Sequence, residues 1–259
     1  MSKNESPAQK LDAKVLIVTG GSAGMGEAFS RRAAREGATV VIGARDAARG
    51  EEVAADIRAA GGRALFLRTD VTVEAEVKAL VETTVATYGR LDGAFNNAGG
   101  GNAVGRVREI DQDFWDATIA RNLTSVFYSL KYEIPAIIAS GGGSIVNNAS
   151  TAGVVGDANL AAYAAAKHGV VGLTRAAALD SAPEGVRINA LVTGLIDTPL
   201  WRTAAAASPG IEQHFLGLQP SGQIGREEDI AAFTSFLLSD ESTYITGAAL
   251  AIDGGLTAK

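Results

Sequence analysis

The 259-residue sequence contains no cysteine, which excludes disulfides, thiol nucleophiles and thiolate-bound metals. That absence fits a reducing compartment, and we expect a cytoplasmic protein. Histidine is scarce: His168 and His214 are too few and too separated for a zinc site, and neither belongs to a His-Glu-x-x-His pattern. We therefore expect no metal. Long apolar runs are missing as well, since Val15 to Val18 is far shorter than the roughly 20 residues a membrane helix requires. Residues 1–10 are polar, carry Pro7 and lack the apolar core of a secretory signal, so they read as a flexible tail. Basic residues are outnumbered, 23 to 29, and the resulting charge of −6 opposes general affinity for nucleic acid or anionic membranes. Neither is expected as a partner.

What is present is apolar and alternating. Hydrophobic residues make up 47% of the chain, enough for a substantial core, and no repeat or linker-like break appears, so residues 11–259 read as a single domain. Short buried-strand patterns at Val15–Thr19, Thr39–Gly43, Ala64–Arg68, Asp92–Phe95, Ser144–Asn148, Val186–Val192 and Ala248–Ile252 alternate with helical patterns. Such alternation predicts an α/β fold with parallel strands and helical crossovers. Phe114 and Trp115, in a helical region from Gln112, read as core or interface anchors rather than ligands. Trp201 to Gly225 lacks clear periodicity and carries Pro209 and Pro220, so a mobile lid is expected within a substrate loop at about 194–225. Glu227-Glu228-Asp229 opens the apolar helix Ile230 to Leu238 and is expected to complement its dipole.

The first strand runs into Gly20-Gly21-Ser22-Ala23-Gly24-Met25-Gly26 and then a helix pattern from Glu27 to Glu36. Strand, glycine loop and helix form a phosphate-binding arrangement, because glycines allow close backbone approach and the helix start offers free N–H groups. About 20 residues beyond this loop, a fold selecting NAD usually carries an acid for the ribose 2′-hydroxyl. Here that place is Ala44, followed by Arg45, and a guanidinium suits the 2′-phosphate of NADP. NADP(H) is the expected cofactor, with NAD(H) as the alternative.

Ser150 follows the fifth strand, at the sheet edge where open α/β folds place ligands. Tyr163 and Lys167 are four apart in an alanine-rich helical run, so both emerge on one face. A lysine beside a phenol is expected to lower its pKa from about 10 by roughly 1 to 3 units, bringing it toward proton transfer near neutral pH. His168 is expected to point away from that face. Asn122, set among Leu123, Val126 and Phe127, is expected to be buried and hydrogen-bonded.

Taken together and in order, Thr19-Gly-x-x-x-Gly24-x-Gly26, Asn96-Asn97-Ala98-Gly99, Asn122, Ser150 and Tyr163-x-x-x-Lys167 resemble the short-chain dehydrogenase/reductase family. The likeness runs from about Lys14 to Gly255 and includes Thr246-Gly247 and Asp253-Gly254-Gly255. It implies a doubly wound Rossmann fold, a seven-stranded mostly parallel sheet with helices on both faces, and hydride transfer between a nicotinamide and a carbonyl or secondary alcohol carbon. On that likeness Tyr163 is the general acid/base, and Lys167 tunes it and holds the nicotinamide ribose. Ser150 binds the substrate oxygen, and Asn122 holds a water leading from Lys167 to solvent. The same likeness places the cofactor against the glycine loop, Arg45, Asp70, Val71, Asn97, Ala98, Gly99, Gly194, Ile196 and Thr198. Thr193 stands where the family commonly has proline, which puts the loop after the sixth strand in question.

A homotetramer is implied by the same analogy. A dinucleotide sensor or scaffold without turnover is the alternative of a different class, since fold does not fix function. A ketoacyl reductase acting on acyl carrier protein is a narrower one, and the single basic residue of Leu130 to Gly143, Lys131, speaks against acidic-partner docking there. The small and apolar Ala152, Val154, Leu160 and Leu195 near the expected pocket point to a small neutral substrate.

Overall fold

The computed structural model describes residues 9–100, 104–207 and 210–258, apart from the side chain of residue 214. The tail expected at 1–10 therefore lies almost wholly outside the described residues. Seven strands, β1 (Val15–Thr19), β2 (Thr39–Ala44), β3 (Arg63–Arg68), β4 (Gly93–Asn96), β5 (Gly143–Asn148), β6 (Val186–Thr193) and β7 (Ala249–Ile252), form one sheet in the order β3-β2-β1-β4-β5-β6-β7. All six pairings are parallel.

A wholly parallel sheet must be covered on both faces, because every connection is a crossover. Strand alternation divides the core accordingly. Leu16 and Val18 of β1 face one cluster, with Phe29, Val53 and Ile230 from α1 (Gly24–Arg35), α2 (Ala47–Ala59) and α9 (Glu227–Leu238). Ile17 faces the other, with Leu80, Val126 and Val170 from α3 (Glu74–Tyr88), α5 (Ser125–Ala139) and α6 (Ala161–Ser181). The order reverses between β1 and β4, so the loops after these strands diverge and leave a crevice at their carboxyl ends.

One expectation is corrected here, and a second is narrowed. Pro199–Ala207 (α7) and Ile211–Leu218 (α8) are helices in a stretch expected to lack periodic structure, with Trp201 meeting Phe215 edge-on at 5.4 Å between ring centroids. Each is too short to display a helical period, and a proline lies between them in sequence. Phe114 is also not a core residue of this chain, being 60% exposed on α4 (Gln112–Ile119), while Trp115 is 38% exposed. Helix α9 begins at Glu227, earlier than its apolar stretch, and the Asp229 carboxylate accepts from Arg226 N at 3.2 Å at that start. No helix among the described residues is long and apolar enough to cross a membrane.

Candidate active site and dinucleotide cleft

Tyr163 and Lys167 sit one turn apart on α6, as the four-residue spacing requires. Lys167 is 4% exposed, and its Nζ donates to the Asn148 carbonyl at 2.7 Å while lying 5.6 Å from the Tyr163 ring centroid. Ser150 leaves β5 in extended conformation, and its hydroxyl accepts from Ala152 N at 3.2 Å, opening a short 3₁₀ turn, Thr151–Gly153. That turn packs against α6 so closely that a Cβ on Gly153 would lie 2.8 Å from the Lys167 carbonyl oxygen. The contact fixes Ser150 relative to Tyr163.

The helical region after Gln112 is broken by a π-helical turn, Ala120–Thr124, of the kind that often marks functional sites. The turn holds Asn122 fully buried, with Oδ1 accepting from Gly100 N at 2.8 Å and Nδ2 donating to Thr118 O at 3.0 Å. A Cβ on Gly99 would lie 2.9 Å from Asn122 Oδ1 and 3.6 Å from Lys167 Nζ, so Gly99 adjoins both side chains. Ser150, Tyr163, Lys167, Asn122 and Gly99 are thus brought to one place. His168 is exposed, with Nδ1 2.9 Å from Ala164 O.

The expected lowering of the Tyr163 pKa is not what this site does. Burial raises it above the ordinary phenol value, and the Ser150 hydroxyl opposes that rise. Burial also depresses Lys167, to about 8. The lysine is turned to a backbone carbonyl instead of the phenol oxygen, and its own desolvation is the larger effect.

The crevice beside this group is built on β1 and β4. Thr19 Oγ1 accepts from Asn97 N at 3.0 Å and Ala98 N at 3.1 Å, while Asn97 Oδ1 accepts from Asn148 Nδ2 at 3.1 Å. The Asn-Asn-Ala-Gly segment therefore braces the glycine loop against β5. Gly26 cannot carry a side chain, since its Cβ would fall 2.3 Å from Gly20 O. Ala23, the residue before α1, makes no side-chain cap, which leaves the first N–H groups of that helix open to an anion. Met25 lies in the first turn of α1, and its side chain packs against the core.

A cleft of about 260 Å³ gathers Gly20, Ser22, Arg45, Asp70, Val71 and Ala98 among its lining residues. Arg45 is exposed and makes no ion pair among the described residues, while Asp46 is occupied in accepting from Arg49 N at 3.0 Å, where it caps α2. Asp70 is held below the usual carboxylate range, chiefly by the bond from Thr72 N, with Arg45 contributing. Beyond β6, Ile196 is buried and bridges to Gly225, and Thr198 approaches Gly24, whose Cβ would lie 3.6 Å from Thr198 Cγ2. Thr193, in the family's proline position, is the last residue of β6 and stands opposite Ile252 of β7, so the strand runs on by one residue. Gly194 N then bonds Ile252 O at 3.1 Å, and a Cβ on Gly194 would meet Asp253 Cα at 2.7 Å.

These features fit a nicotinamide dinucleotide. The loop that a Cβ would close, the open helix start and the unpaired guanidinium line one continuous edge of the sheet. Sequence reasoning missed Asn148, whose carbonyl holds Lys167. The signal was two consecutive amides, Asn147 and Asn148, ending an otherwise apolar strand. It also missed Glu133, a lone acid in apolar α5, which is 1% exposed and accepts from Asn96 Nδ2 at 2.8 Å.

Known proteins are similar to this chain over nearly its whole length. The family model described as enoyl-(acyl carrier protein) reductase matches residues 20–257. The cyclohexanol dehydrogenase of Acinetobacter sp. (strain SE19) is 40% identical over 252 residues, 97% of this chain and 98% of that protein. The cis-4-hydroxycyclohexanecarboxylate dehydrogenase of Sinomonas cyclohexanicum is 42% identical over 246 residues, 95% and 97% of the two chains. The crystal structure of a short-chain type dehydrogenase/reductase from Mycobacterium marinum superposes with a TM-score of 0.91 at 30% identity, covering 97% of this chain and 98% of the other. With its parallel Rossmann sheet and these full-length relatives, the chain belongs to the short-chain dehydrogenase/reductase family of NAD(P)-dependent oxidoreductases.

Proposed function

We propose that the protein is an NADP(H)-preferring dehydrogenase that interconverts cyclic secondary alcohols and their ketones. The observation that carries the reaction type is the convergence of Ser150, Tyr163 and buried Lys167 beside Gly99 and Asn122. The nicotinamide would supply or accept the hydride. Ser150 and Tyr163 hydroxyls bind the substrate oxygen, where negative charge develops during reduction. Tyr163 gives that oxygen its proton in reduction and takes it in oxidation. Lys167 brings a positive charge to the ribose side of the site, and Asn122 anchors the backbone at Gly100 beside it.

The substrate class rests on two relatives named for six-membered-ring alcohols. The NADP preference rests on Ala44 and unpaired Arg45. The remaining assignments, from the glycine loop to Asp70, Val71, Asn97, Ala98, Gly194, Ile196 and Thr198, follow the family pattern on residues that line or brace this edge. A single domain over 11–259, a cytoplasmic location and a homotetramer complete the reading; apolar side chains exposed on α5 and α6, Phe127 and Leu179, support the last. Delivery of substrate on acyl carrier protein is disfavoured, because Lys131 is already paired with Glu74 at 2.6 Å. Comparing kcat/KM for cyclohexanol, an open-chain alcohol and a carrier-bound ketoester, with each cofactor, tests this directly. Preference for the carrier-bound ester, or cofactor binding with no turnover of any substrate, would overturn it.

A further inference from the structure

Glu227 opens α9 directly behind the glycine loop. A Cβ on Gly24 would lie 3.8 Å from its Oε1, next to Thr198. That oxygen is buried and has no hydrogen-bond partner among the described residues. It thus stands near the open N–H groups of α1 without being bound to them.

We propose that Glu227 opposes the phosphates of the bound dinucleotide and thereby sets how fast the cofactor leaves. This inference rests on the reading of the cleft as a dinucleotide site. A partly buried carboxylate beside a bound pyrophosphate is a like-charge pair less screened than one in open water, so its electrostatic cost falls on the complex. The nearby cations do not cancel it. Arg202 attracts Glu227 but is tied to Asp197 at 2.8 Å, and Arg31 and Arg49 are both tied to Glu27. Glu228, Glu27 and Asp197 add further negative charge around it. Burial already holds the Glu227 carboxyl above its ordinary range, and phosphate would raise it further. A group whose pKa is higher in the complex takes up a proton on binding, so affinity falls as pH rises from the free value toward the bound one.

The consequence is kinetic. Release steps limit turnover in many enzymes, and an opposing charge shortens the residence of the bound dinucleotide. The test is Glu227→Gln, which keeps shape and removes charge, with Glu228→Gln on the exposed neighbour as control. Dissociation constants and release rates of NADPH and of ADP are read by fluorescence quenching, competition and stopped flow between pH 5 and 9. Glu227→Gln should bind both about three- to tenfold more tightly, mostly through slower release, and should flatten the pH dependence. Glu228→Gln should change little. Unchanged affinity and pH dependence in Glu227→Gln, with normal NADPH binding by the wild type, would overturn this inference alone. Failure of the wild type to bind any nicotinamide dinucleotide would instead overturn the reading of the cleft.

Discussion

Lys167 donates its ammonium proton to the main-chain oxygen of Asn148 at 2.7 Å, so the buried charge is tethered to the end of the strand that leads to Ser150. Residues 147 and 148 divide the work. Asn148 meets Lys167 and Asn97, while Asn147 accepts from Asn96 at 3.0 Å and donates to Thr174 at 2.9 Å, joining the strands beneath the site.

Keeping Lys167 charged in that place costs stability. Its pKa falls from 10.5 to about 8, equivalent to about 3 kcal/mol present below pH 8 and relieved as pH rises toward 10.5. Lys167→Met removes this cost and loses one hydrogen bond, worth roughly 1 to 3 kcal/mol when a buried carbonyl is left bare. We expect Tm at pH 7 to rise by about 2–4 °C while turnover collapses. The wild-type gain in Tm between pH 8 and 10 should be absent in the variant; a lower Tm at pH 7 would contradict this.

Glu133 acts in the opposite pH range. Burial pushes its carboxyl up from 4.5 to about 7, so the folded state holds the proton longer than the unfolded chain. Wild-type stability should fall as pH rises from about 4.5 to 7, by about 3 kcal/mol at most. Glu133→Gln can still accept from Asn96 and should lose that slope, unfolding at higher urea than wild type at pH 8. Equal slopes in the two proteins would refute the argument.

Gly26→Ala should damage the dinucleotide site. The new methyl would fall 2.3 Å from Gly20 O and 2.7 Å from Asn97 Nδ2, so the loop must shift. Overpacking of this kind costs about 1–3 kcal/mol, and we expect NADPH affinity to drop by at least about tenfold. Isothermal titration with NADPH, at a temperature where circular dichroism shows the variant folded, checks it.

Arg45→Ala should separate the two cofactors. Arg45 has no carboxylate bound to it among the described residues, and Ala44 offers no acid to a ribose hydroxyl. We expect kcat/KM with NADP(H) to fall about 10- to 100-fold and that with NAD(H) to change little. A parallel loss with both cofactors would mean that Arg45 supports the loop and reads no phosphate.

Much of this was legible in the sequence because each signal was local. Val15–Thr19 with its glycine loop, and Tyr163 with Lys167 at helical spacing, need only near neighbours to be read. What escaped depends on three-dimensional partners. Asn148 acts through a carbonyl, which every residue possesses. Glu133 is defined by its burial against Asn96, 37 positions away in sequence. The shift of Tyr163 was read with the wrong sign, since a neighbouring charge is visible in sequence and burial is not. Helices α7 and α8 were missed because neither is long enough to establish a period.

The central claim is that Tyr163 moves the proton while hydride passes between NADP(H) and a ring carbon. It is tested most directly by following NADPH absorbance with cyclohexanone in wild type and Tyr163→Phe. The variant should lose about 100-fold to 10,000-fold in kcat while its NADPH dissociation constant stays within about twofold, because the ring remains and only the donor is gone. A Tyr163→Phe protein that turns over at a rate near wild type would contradict the account.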